Sequence, residues 1–128
     1  MNSEKTYTNS FFFDSYAFFE ILRGSNDYES YKKFGIITTK LNIFELYLGV
    51  LRDVDENSAE ENLNKYYPFV VDFDESVIKD AAKLKHKLNK RDLSMTDCIG
   101  YVLSKRLGIK FLTGDKQFEN MENVEFVK

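Results

Sequence analysis

Cysteine occurs once in the 128 residues (Cys98), histidine once (His86), proline once (Pro68) and tryptophan not at all. A single thiol excludes a disulfide scaffold, and one thiol with one imidazole excludes a Cys- or His-rich zinc site. Serine–histidine or cysteine–histidine catalysis would have to use His86, and nothing around it recommends that role. No apolar run approaches the ~18 residues that a membrane span needs. The opening Met1-Asn2-Ser3-Glu4-Lys5 lacks the basic-then-apolar order of a secretory signal, so a cytoplasmic protein is expected. Charge of one sign is missing too. With 18 Lys+Arg against 21 Asp+Glu the net charge is −3, which argues against a protein that coats DNA by bulk charge. Six glycines, one proline and no Ser/Gly-rich linker leave no domain boundary, so residues 1–128 read as a single domain.

What is present is apolar and aromatic. Hydrophobic residues make up 43% and aromatics 16%, enough to build a core without staples and too much for intrinsic disorder. Short apolar runs alternate with longer helical patterns, the signature of an α/β fold with a mainly parallel sheet. Phe11-Phe12-Phe13 predicts a buried strand ending at Asp14. A helix over 16–23 follows, closed by Gly24, and Ser25 opens a short helix to about residue 34. Residues 35–38 predict a second strand. Thr39 then caps a helix to about residue 54, with Leu41, Phe44, Leu48 and Leu51 as its inward face. Ser58-Ala59-Glu60-Glu61 predicts a capping box opening a helix that ends near Tyr67, before Pro68. A third strand is expected from Phe69 to about Phe73. Asp74 caps a helix to about Arg91 whose inward stripe is Val77, Ala81, Leu84 and Leu88. Ser94-Met95-Thr96-Asp97 opens a helix ending at Leu107 and Gly108; strands over 109–112 and 124–127 complete the series.

Ligands of open parallel sheets bind beyond the carboxyl ends of the strands. Asp14 follows the first strand directly, and Asp115 sits just past the strand that ends at Leu112. The helix from Ser94 feeds that strand, so its N-terminus, and Asp97 with it, points back to the carboxyl edge. Glu45 lies about six residues into the helix leaving the second strand, roughly 9 Å from its start, within reach of a long side chain. Asn42, three residues earlier on the same face, is a candidate supporting partner. Two unit charges 4 Å apart repel by about 4 kcal/mol at an effective dielectric near 20, so such a cluster needs protons or hard cations. Oxygen-only ligation favours Mg²⁺ or Mn²⁺ over zinc, and phosphodiester hydrolysis is the chemistry such ions promote.

At these residues the chain resembles the PIN-domain nuclease family, and most closely its small VapC-type toxins. The matching pieces are Phe12-Phe13-Asp14-Ser15, Thr39-Lys40-Leu41-Asn42-Ile43-Phe44-Glu45-Leu46, Leu93-Ser94-Met95-Thr96-Asp97-Cys98-Ile99 and Phe111-Leu112-Thr113-Gly114-Asp115-Lys116-Gln117-Phe118. They span nearly the whole chain in order and spacing. The resemblance implies a three-layer α/β/α sandwich around a five-stranded parallel sheet and a Mg²⁺- or Mn²⁺-dependent endoribonuclease. It implies that Asp14, Glu45, Asp97 and Asp115 are the catalytic, metal-binding cluster and that Thr113 positions it by hydrogen bonding. It further implies an RNA substrate, a homodimer and, for a toxin, a small antitoxin partner. Many members carry another acidic residue or Asn shortly after the last aspartate; here that place holds Gln117, which is compatible with a single resident metal.

Plainer readings stand beside these. Asp14 also fits a helix N-cap, Asp97 the acid of a capping box, Asp115 a turn residue after glycine, and Glu45 a solvated helix position. Lys79, Lys83, Lys87, Lys90 and Arg91 fit the solvated face of a helix as well as an RNA-backbone track. Cys98 fits a small packing residue. Phe18, Phe19 and Leu22 fit core or a dimer face. An RNA-processing nuclease without an antitoxin shares the same carboxylates. A phosphorylatable receiver domain would have to use Asp72 or Asp74 and would leave Asp97 and Asp115 without a role.

Overall fold

The computed structural model describes residues 7–128, so the opening pentapeptide lies outside the described residues. Four strands, β1 (Ser10–Phe13), β2 (Gly35–Ile37), β3 (Lys110–Thr113) and β4 (Val124–Phe126), form one sheet in the order β2-β1-β3-β4. Every neighbouring pair is parallel. Successive strand residues face opposite sides, and both sides are buried, which explains why the strands read as unbroken apolar runs. Phe12, Ile37 and Phe111 enter one core with Val77, Ala81, Leu93 and Ile99. Phe13, Ile36 and Leu112 enter the other with Ala17, Phe18, Ile43 and Leu46. Helices α1 (Ser15–Leu22), α3 (Lys40–Asp53) and α4 (Glu56–Tyr66) cover the second face; α5 (Glu75–Lys87) and α6 (Met95–Leu107) cover the first. The short α2 (Asn26–Glu29) and a 3-10 turn over Ser30–Lys33 lead into β2. The expected α/β/α sandwich is therefore present, and among the described residues no helix is long and apolar enough to cross a membrane.

Among the described residues the sheet has four full strands instead of five. The run from Phe69 contributes one parallel bridge, Thr38 to Val70, outside β2. Pro68 has no N–H to give a ladder, and Tyr67–Phe69 closes into a 3-10 turn, so two backbone bonds around Thr38 are all that form. The helix expected to open at Ser58 opens earlier: Asp55 is the N-cap, and its carboxylate accepts from the Ser58 amide at 2.7 Å. The helix from Asp74 stops at Lys87, which leaves Lys90 and Arg91 in the following turn.

The inward face of α3 is corrected. Phe44, Leu48 and Leu51 are exposed, and Leu41 is half-buried; Asn42, Ile43, Leu46, Gly49 and Val50 are buried. Both stripes recur at helical spacing, and the buried one looked weaker because it contains an amide and a glycine. Asn42 is buried because its side chain is hydrogen-bonded, and Gly49 because α1 crosses there: a Cβ would meet the ring of Phe19.

Gly100 sets how closely α6 lies on the sheet. A Cβ at this position would stand 2.7 Å from Phe12 Cε1 and 3.1 Å from Phe111 Cε1, in rings that are both completely buried. Alanine gains about 1 kcal/mol of helix propensity, but overpacking a filled core costs about 1–3 kcal/mol. The two rings stack on each other and have no free space to retreat into. Gly100→Ala is thus expected to lower unfolding free energy by up to about 2 kcal/mol in urea titration, whereas a gain in stability would show that the layers separate easily.

Candidate metal centre

The chain leaves β1 for β2 on one side and later returns to β3 on the other, so β1 marks the topological switch point of the sheet. Asp14 is the first residue beyond β1. It is only 2% exposed, and it stands at the N-cap of α1 without bonding that helix through its side chain. Thr113, the last residue of β3, donates its hydroxyl to Asp14 Oδ2 at 2.8 Å. The same hydroxyl accepts from the Asp115 amide at 3.1 Å, so one threonine ties both aspartates to the strand ends. Asp14 Oδ1 is buried and has no hydrogen-bond partner. A buried carboxylate oxygen without a donor is costly, and an ordered cation or proton is the ordinary remedy.

The other carboxylates approach from three elements. Asp97 lies in the first turn of α6, where a complete capping box holds it: its carboxylate accepts from the Ser94 amide at 2.9 Å and its amide donates to Ser94 Oγ at 3.1 Å. Asp115 Oδ1 accepts from the Gln117 amide at 3.0 Å and caps the 3-10 turn Lys116–Phe118. Glu45, on α3, accepts from Ser15 Oγ at 2.5 Å. Asn42 donates to that Ser15 oxygen at 3.0 Å and accepts from Thr39 Oγ1 at 2.6 Å, so Glu45 is steadied through a chain of buried polar groups. Sequence reasoning gives Ser15 no role and Thr39 only that of the α3 N-cap, which it fills; the buried Asn42 needs both, and the place of Ser15 directly beside Asp14 is the available sign.

The electrostatic effect falls on Asp14 and Asp97. Burial first, then the negative charge of Asp97, push the Asp14 carboxyl up to about 8, with Glu45 adding to the effect and the Thr113 bond opposing it. Burial also raises Asp97; its Ser94 bonds pull it back, while Asp115 and Glu45 push it further up. Among the described residues, no three His, Cys, Asp or Glu side chains stand together as a ready-made metal cage. The donor set nevertheless fits a hard cation. It consists of oxygen only, it carries mutual repulsion, and one buried oxygen lacks any partner.

The remaining candidates lie further out. Lys79, Lys83, Lys87, Lys90 and Arg91 are all exposed. Lys83 and Lys87 line a groove of about 340 Å³ between α5 and α6, whose other cations are committed: Lys105 to Glu122 at 2.6 Å, and Arg106 to Asp80. Arg91 donates to the Gln117 carbonyl at 2.7 Å. Neither this groove nor a depression of about 670 Å³ at the amino edge of the sheet includes any of the four carboxylates. Cys98 is buried, Phe18 is core, and Leu22 is 43% exposed. Asp74 is occupied as the N-cap of α5 and Asp72 is exposed on the edge beside the Val70 bridge, so neither occupies the end of a central strand, as a receiver phospho-acceptor would.

With order of strands, switch point and carboxylates in place, comparison gives the class. The PIN domain family model matches residues 11–124, and the chain belongs to the PIN domain family. Among solved structures, a toxin-antitoxin complex from Klebsiella pneumoniae superposes with a TM-score of 0.71 at 13% identity, over 90% of this chain and 95% of that one. VapBC2 from Rickettsia felis, bound to a DNA fragment from its promoter, superposes with a TM-score of 0.70 at 14% identity, over 92% and 97%. At such identities the likeness is one of fold. No curated protein matches the chain.

The raised Asp14 carboxyl makes stability depend on pH. In metal-free protein the folded state keeps this proton up to about 8, while the unfolded chain loses it near 3.8. The folded state therefore binds more protons across that window, and stability falls as pH rises through it. Asp14→Asn is expected to remove most of this fall and to raise the thermal midpoint in EDTA at pH 8 by several degrees, since about 1 kcal/mol moves a domain of this size by roughly 4 °C. A lower midpoint, or an unchanged pH slope, would mean that burial and the acidic neighbours do not hold the proton on Asp14.

Proposed function

We propose that this PIN domain is a divalent-metal-dependent endoribonuclease and the toxin of a toxin–antitoxin pair. The observation that carries the nuclease reading is the carboxyl of Asp14, buried at the switch point with one oxygen held by Thr113 and the other without a partner, and within the influence of the charges of Asp97 and Glu45. Asp14, Asp97 and Asp115, with Glu45, would hold Mg²⁺ or Mn²⁺. When bound, such an ion supplies Lewis-acid polarisation of the phosphate and makes water a better nucleophile. The chain's own residues do the orienting. Thr113 fixes Asp14 and Asp115 against the same strand, the Ser94 box fixes the rotamer of Asp97, and the Ser15–Asn42–Thr39 series fixes Glu45.

The partner reading rests on resemblance: one of the two solved structures named above is described as a toxin-antitoxin complex, and the other as VapBC2 bound to a DNA fragment from its promoter. The proposal includes a small antitoxin that covers the cleft, a homodimer and a cytoplasmic site of action. An RNA-processing nuclease would use the same carboxylates without an antitoxin.

Purified protein incubated with structured and unstructured RNAs in Mg²⁺, Mn²⁺ or EDTA provides the test. Cleavage is expected with either metal and not in EDTA. Asp14→Asn and Asp97→Asn are each expected to reduce it by about 100-fold or more while circular dichroism stays unchanged. Undiminished cleavage by either variant would remove the mechanism.

The lysine face of α5 is proposed as the RNA track, with Lys83 and Lys87 as its uncommitted cations and Lys79, Lys90 and Arg91 flanking them. Lys83→Glu combined with Lys87→Glu should weaken RNA binding and reduce the slope of log affinity against log salt by about 1.4 for a single strand, at about 0.7 per phosphate contact. A slope equal to wild type would return this face to mere solvation.

A further inference from the structure

The segment 91–94 has to deliver Ser94 and Asp97 to the carboxyl edge, next to an Asp115 whose charge repels Asp97. One residue, Gln117, is tied to Asp115 on its own side and holds the two sides together by two further bonds. Its backbone amide donates to Asp115 Oδ1 at 3.0 Å, its backbone carbonyl accepts from the Arg91 guanidinium at 2.7 Å, and its side-chain Oε1 accepts from the Asp92 amide at 3.1 Å. Two residues after Asp92, Ser94 begins the capping box that fixes Asp97. Leu93 between them is 1% exposed, and its carbonyl accepts from Lys85 at 2.5 Å. A displacement of Gln117 would thus be passed to both aspartates along a short and well-bonded path.

We infer that Gln117 is a positioning residue that clamps the α5–α6 turn to the turn after β3 and so sets the separation of Asp97 and Asp115. The inference rests on the metal-centre reading above. The clamp counters a repulsion that would otherwise open the site when no cation is present. It also gives the side chain a use in the scaffold, since its carbonyl oxygen is engaged by the Asp92 amide. Glutamate keeps an acceptor at the same reach; alanine removes it.

The test uses the full chain, stripped of metal, as wild type, Gln117→Ala, Gln117→Glu and Arg91→Ala. Mn²⁺ is titrated in and followed by the electron paramagnetic resonance of the free ion; amide hydrogen exchange is followed in the metal-free state. Gln117→Ala should weaken Mn²⁺ binding by about tenfold, the usual scale for partners that orient ligands. It should also speed exchange at Asp92 and Asp97 several-fold. Arg91→Ala should show both effects in smaller measure, and Gln117→Glu should bind within about twofold of wild type. Binding tighter than wild type in Gln117→Glu, or a second Mn²⁺ per chain there, would make residue 117 a ligand and overturn the positioning role. Wild-type binding with unaltered affinity and exchange in Gln117→Ala would overturn this inference alone. A wild-type chain that binds no Mn²⁺ would overturn the metal centre and the inference with it.

Discussion

The carboxylate of Asp14 is the constraint to which the rest of the molecule is fitted. It is buried at the end of the inner strand β1, where an ionised carboxyl without full pairing is so costly that the metal-free protein keeps the proton up to about 8. One oxygen is satisfied by a threonine 99 positions away in sequence, on the strand that pairs with β1. The other is left bare between elements that bring more negative charge. Two apolar layers, each capped by helices, supply the stability against which that local cost is set. This division between a stable frame and an electrostatically costly centre is common where a protein must pre-arrange charge.

Helices α1 and α6 reach this centre by their first turns, and α3 brings Glu45 from its second. Asp14, Thr39 and Ser94 are N-caps of α1, α3 and α6, and the helices begin on the same edge of the sheet because each returns the chain from a strand's carboxyl end or prepares the next strand. Cap chemistry and site chemistry therefore share residues. Asp97 completes a capping box and also raises Asp14, so the plainer reading of that residue and the functional one are two descriptions of a single placement.

Much of this was legible in sequence because it depends on local rules. The runs Phe11–Phe13 and Phe111–Leu112, the Ser94 box, and the stop at Gly108, which takes the left-handed conformation at φ 71°, are each set by neighbours within four residues. The placement of Asp14 and Asp115 followed from strand direction alone. What was not legible depends on distant partners. The buried stripe of α3 could not be chosen without knowing that Ser15 satisfies Asn42 and that Phe19 needs the space at Gly49. The strand at Phe69 shrank to a bridge because Pro68 sits where the turn closes. Gln117 was noted as a departure from an acidic pattern, but its partner Asp92 lies 25 residues earlier and no periodicity links them.

The position of β3 between β1 and β4 has a bearing on how the chain is made. A ribosome releases β1 and Asp14 early, but the inner strand beside them and the hydroxyl that grips Asp14 come about a hundred residues later. Until then the nascent polypeptide has a sheet with its middle missing, and long-range pairing of this kind is slow to form. Any activity that depends on the assembled carboxylates is consequently withheld from unfinished chains, and it arises only when translation of the domain is all but over.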